Sequence, residues 1–86
     1  MKSIIFVKYF DKYKNTFEYV RYGIYEIPRL IRNNIFNMEE LEKAMTDRVA
    51  LSWAVDVADT QNLSLVETVE YYMNITNKRI IIDKTK

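Results

Sequence analysis

Four acidic side chains stand in pairs three residues apart, Asp56 with Asp59 and Glu67 with Glu70. On a helix that spacing puts both carboxylates of a pair on one face, where they could hold a hard cation or imitate neighbouring phosphates. Nothing around them completes a metal centre. The chain has no His and no Cys, and neither pair has the spacing of a calcium-binding loop. The plainer reading is a solvated helix face. Ser3, Ser52 and Ser64 have no histidine to activate them, which removes Ser–His nucleophilic chemistry. A single Gly in the whole chain removes glycine-rich phosphate loops and dinucleotide fingerprints. No catalytic residue, metal ligand or cofactor site is assigned, and the expectation is a protein that is not an enzyme.

A second constellation is aromatic and basic: Lys8, Lys12, Lys14, Tyr19, Arg21 and Tyr25. Rings interleaved with cations can stack unpaired bases and track phosphates, as single-strand-binding surfaces do. The same residue types are enriched at protein contacts, where Tyr and Arg anchor interfaces. A third reading needs no partner: the rings pack the rim of the core with their hydroxyls in water. No signature of the common RNA-binding modules accompanies the cluster. Asp56, Asp59, Glu67 and Glu70 form the alternative, acidic surface.

These residues need elements to position them. Ser3–Phe10 is short and rich in β-branched and aromatic residues, and reads as a strand. Asp11–Asn15 reads as a turn, and a second strand alternates over Thr16–Ile27. One face of that strand would show Phe17, Tyr19, Arg21, Gly23 and Tyr25, with Gly23 marking a bulge or bend. Pro28 ends the strand or opens a short helix with Leu30, Ile31 and Ile35 on one side and Arg29 and Arg32 outside. Asn37, followed by Glu39 and Glu40, signals a helix start. Leu41, Met45, Val49, Trp53 and Val57 then recur at steps of four, flanked by alanines. They predict one long helix to Thr60 with Trp53 and the methionines in the core, a break at Thr46-Asp47 being the alternative. Ser64 and Glu67 form a capping box for a further helix that stops near Asn74–Asn77. Lys78–Asp83 closes the chain as a strand, its Ile80-Ile81-Ile82 run suited to burial on both faces. The expected fold is α+β: one domain over residues 1–86, in the order β-β-(α)-α-α-β. It has a small antiparallel sheet, made of the N-terminal hairpin and the C-terminal strand, packed on two or three helices.

The net charge of +1 conceals a segregation. Residues 1–33 carry seven basic and three acidic groups, residues 38–70 two basic and eight acidic. From residue 78 onward there are four basic groups and one acid. If the terminal strands pair, the sheet is basic and the helical layer acidic. No apolar run reaches the roughly 7–15 residues of a signal peptide or the roughly 20 of a membrane span, so a cytoplasmic protein without membrane contact is expected. Ile, Lys, Asn, Tyr and Phe supply 36 of 86 residues, and Ala, Gly and Pro only six. Such a bias toward AT-rich codons belongs to low-GC bacteria, their phages and mobile elements. The function expected is a small protein-binding or regulatory protein, such as an accessory factor or inhibitor carried by a phage or mobile element. Its partner is another protein or a second copy of itself, and a nucleic-acid-binding sheet is the alternative.

Overall fold

Strand β1, Ile4–Asp11, and strand β2, Thr16–Gly23, form an antiparallel hairpin in the computed structural model, which describes residues 3–85. The turn is locally determined. The Asp11 carboxylate accepts from the amides of Tyr13 (2.9 Å) and Lys14 (3.2 Å), and Asn15 takes a left-handed φ of 54°. β2 stops at Gly23, four residues short of the expected Ile27. A 3-10 turn over Ile24–Glu26 follows, then helix α1, Ile27–Arg32, with Pro28 in its first turn. The register runs unbroken to Gly23, so that glycine makes no bulge. Its small size serves the Tyr25 ring, whose Cε1 would lie 2.5 Å from any Cβ there.

The expected long helix is two helices. α2 spans Met38–Ala44 and α3 spans Arg48–Gln61. Asn37 caps α2, its side chain accepting from Glu40 N–H (2.8 Å). Asp47 breaks the run because it serves as a fresh cap, accepting from Ala50 N–H (3.1 Å) while its own N–H donates to the Tyr72 hydroxyl (3.0 Å). α4, Leu65–Thr76, carries the Ser64/Glu67 capping box as expected. Among the described residues four have positive φ and all are asparagine: Asn15, Asn34, Asn62 and Asn77. Asn62 and Asn77 end α3 and α4, the role glycine usually fills; asparagine is the next residue to tolerate it.

The sheet order is β2-β1-β3, with β3 at Ile81–Asp83. The α+β class is therefore as expected, but the sheet is mixed and not wholly antiparallel, because β3 runs parallel to β1. α4 returns the chain to the start of β1, where Phe6 N–H donates to Ile80 C=O (3.0 Å). The chain then leaves with Lys84 N–H donating to Lys8 C=O (2.7 Å). A strand that re-enters beside the beginning of its neighbour must run in the same direction. Lys84 also binds both carboxylate oxygens of Glu40 (2.9 and 2.8 Å), tying the end of β3 to α2.

Ile5, Val7, Ile80 and Ile82 form the sheet's contribution to the core, with Leu41, Val69, Tyr72 and Met73 from the helices above. The break at Asp47 rotates the phase of the apolar stripe. Leu41 and Met45 are buried, but Val49 and Trp53 stand 62% and 61% exposed, so Trp53 is not core filling. Ala50, Ala54 and Ala58 face inward in their place, since side chains this small let α3 approach α4 closely. Met45 and Met73 are buried as expected, while Met38 is exposed. The Ile80-Ile82 run is covered on one face only: Ile80 and Ile82 are sealed and Ile81 is 41% exposed.

Two measurements check this packing. Trp53→Ala should shift stability by less than about 1 kcal/mol, against the roughly 3–5 kcal/mol of a core tryptophan, while Ala54→Leu should cost about 1–3 kcal/mol by overpacking the helix seam. Urea denaturation of both variants distinguishes the seam from the expected stripe. The Lys84 ammonium, aided by the Asn37 amide and opposed by partial burial, holds the Glu40 carboxyl below its ordinary value. A depressed carboxyl stabilises the fold above its unfolded pKa of 4.5 and loses that contribution as pH falls through the lower, folded value. Lys84→Met should therefore flatten the acid limb of a melting-temperature profile below about pH 5.

Candidate protein-interaction face

Alternation along β1 sends Ile5 and Val7 under the helices and Ile4, Phe6, Lys8 and Phe10 to the other side. The register assembles that other side into rows: Arg21–Phe6–Ile81, then Tyr19–Lys8–Asp83, then Phe17–Phe10. No helix covers it. Tyr19 and Phe17 are each about half exposed, and a shallow groove runs between Phe6, Tyr19, Arg79 and Ile81. The lower end continues into a cleft where Arg21, Lys78 and Arg79 gather around Ile4 and Phe6. Beyond Lys8 the hairpin outruns both β3 and the helical layer. Tyr9, Phe10, Tyr13 and Phe17 are all exposed there, and the molecule measures 47 × 24 × 24 Å.

The rings are organised by one another and by cations. Phe6 meets Tyr19 edge to face (6.5 Å, 87°), and Phe10 meets Phe17 likewise (5.3 Å, 69°). Lys8 Nζ sits 4.7 Å from the Phe17 ring centroid, and the Arg79 guanidinium lies 5.8 Å from that of Phe6. Among the described residues Lys8, Arg21 and Arg79 have no carboxylate partner. The one acid in these strand rows is Asp83, level with Lys8, and on the β3 side Ile81 and Asp83 share a cleft with Glu39, Glu40 and Lys43 of α2.

Of the six residues singled out in the sequence, Lys8, Tyr19, Arg21 and Tyr25 share this face. The two turn lysines lie elsewhere. Lys12 and Lys14 belong to the turn at the hairpin tip, and Lys14 is engaged by Glu18 (3.1 Å), which holds its ammonium above the usual lysine range. Tyr25 lies past the end of β2, but its ring folds back over Gly23 on the open side and shares a pocket with Ile4 and Arg21 at the lower end of the face. Seven residue steps at about 3.4 Å each separate the two ends of β2 by roughly 24 Å, so the turn lysines and Tyr25 cannot serve one small contact. Asp56, Asp59, Glu67 and Glu70 are exposed on α3 and α4 and belong to none of these rows, and Glu67 is occupied with its cap. No group of three or more acidic side chains among the described residues is arranged to hold a metal ion. Lys2 and Lys86, which contribute to the basic excess of the two termini, lie outside the described residues. Ile81 and Arg79 were missed as face residues. Their signal was the parity of the Ile run, which needed a known register with β1 to be read.

No helix among the described residues is long and apolar enough to cross a membrane. The chain matches no known protein family, no curated protein and no solved structure.

The two-sided assignment of β3 is open to a direct check. Ile81→Lys should leave the melting temperature within a few degrees, whereas Ile82→Lys, one residue on, should prevent folding by burying an unpaired charge. Circular dichroism of the two purified variants reads the difference.

Proposed function

We propose that this chain is a non-enzymatic protein-binding domain whose partner lays an acidic, apolar segment across the open face of the sheet. The observation that carries the reading is the uncovered run of Phe6, Phe17, Tyr19 and Ile81, beside which Lys8, Arg21 and Arg79 have no carboxylate partner among the described residues. Exposed apolar area of this kind marks contact sites. A sheet with helices on one side has room for a helix on the other, the arrangement of three-layer folds. An amphipathic partner helix with carboxylates along its margins would match both the rings and the cations.

The nucleic-acid reading is less well supported by the rings themselves. The faces of Phe17 and Phe6 carry the chain's own cations, and the ring pairs meet edge to face, so no row of free π-faces awaits successive bases. The lack of any cysteine gives the domain no disulfide staple of the kind small secreted domains use, and the interior of the cell is its proposed setting.

The test uses three fluorescent probes: an acidic amphipathic helical peptide, its lysine-substituted counterpart, and a short single-stranded DNA. The acidic peptide should bind best, and Arg21→Glu combined with Arg79→Glu should weaken it by at least about tenfold. Tighter binding of the DNA, steeply lost with salt, would replace this reading with the nucleic-acid one.

A further inference from the structure

We infer that a second copy of this chain pairs along the outer edge of β2, antiparallel and centred on Tyr19, so that two sheets become one. This concerns backbone groups at the edge and is independent of what binds the open face. The phase of the hairpin ladder is set by Ile24 N–H, which donates to Ser3 C=O (2.9 Å). Even-numbered residues of β2 therefore bond to β1, and the odd-numbered ones, Phe17, Tyr19, Arg21 and Gly23, aim N–H and C=O outward. Gly23 N–H is taken by the Glu26 carboxylate (3.0 Å). Phe17, Tyr19 and Arg21 remain, three consecutive outward residues whose N–H groups have no partner among the described residues.

Several usual protections of a sheet edge are missing here, the charges of β2 being limited to Glu18 and Arg21. β2 has no proline, no bulge and no lysine, and it is eight residues long. The hairpin beyond Lys8 is a bare two-stranded ribbon, a structure that is marginal in water by itself. An added strand on the β2 edge would widen it.

Symmetry then selects both the partner and the register. A twofold axis perpendicular to the sheet keeps helical layer beside helical layer, and it pairs only residues of equal parity. With the axis at Tyr19, Tyr19 meets its own copy and Phe17 meets Arg21 on each side, which uses every free group. An axis at Val20 would set Phe17 against Gly23, whose donor is already engaged, and one at Glu18 would leave Arg21 unpaired. In the Tyr19 register each Phe17 ring, already carrying Lys8 on β1, stands directly opposite the guanidinium of the other copy's Arg21. Self-complementarity of this kind identifies a second copy as the occupant, where an arbitrary peptide strand would match only by chance.

Sedimentation equilibrium of the full chain, from micromolar to submillimolar concentration, should show the mass rising from 10.4 kDa toward twice that value. Tyr19→Pro removes an outward N–H and no hairpin hydrogen bond, so it should weaken the dimer by at least about tenfold while circular dichroism stays that of the parent. Should proline disturb the strand, Tyr19→Lys provides the second arm by setting two ammonium groups against each other at the axis, with the same loss expected. A mass of 10.4 kDa at every concentration overturns the inference. So does a dimer that survives both variants, or one that Ile81→Lys abolishes and Tyr19→Pro spares, since that dimer would use the open face.

Discussion

Everything in this molecule depends on β1 being covered from one side only. Its Ile5 and Val7 sit under the helices beside Ile80 and Ile82 of the returning chain, each such burial stabilising the fold by about 1.5–3 kcal/mol. The helices that provide the cover are spent on that single face. Because α4 brings the chain back to the foot of β1, β3 enters parallel, pairs over only three residues and leaves the upper half of the hairpin without a third strand. Exposure of the opposite face and projection of the hairpin follow from that one path.

Small and unusual residues make the path possible. With a single glycine available, asparagine occupies every left-handed position among the described residues, at the hairpin turn, after α1 and at the ends of α3 and α4. Alanines line the α3–α4 seam where larger side chains would separate the helices. The cap at Asp47 does two jobs at once: its side chain starts α3, and its amide satisfies the buried Tyr72 hydroxyl. A buried tyrosine without that donor would carry an unpaired polar group. The turn between α2 and α3 and the packing of α4 are therefore one arrangement.

The open face combines two properties that suit recognition. Its rings are held edge to face, and Lys8 and Arg79 lie against them, so the partner proposed above would meet a largely ordered surface and less conformational entropy would be lost on docking. The same cations lack carboxylate partners among the described residues, and the acidic groups of α3 and α4 stand on the other layer. This polarity favours an approaching surface of negative sign and disfavours contact between two open faces, where the like charges of Lys8, Arg21 and Arg79 would meet.

Local signals in the sequence were enough for the α+β class, the hairpin, the capping box at Ser64 and the helix start at Asn37, because each rests on residues within a few positions of one another. They also placed Tyr19 and Arg21 on one face of β2, since alternation is a property of the strand alone, while Lys8 of β1 joins them only through the hairpin register. Three things were decided only by tertiary structure. Whether Asp47 caps or continues a helix depends on Tyr72, 25 residues away. That choice reset the helix phase and turned Trp53 outward. The direction of β3 depends on where α4 delivers the chain, and the exposure of Ile81 depends on which side the helices occupy. Periodicity shows that a segment has two faces; only packing across long separations says which of them is buried.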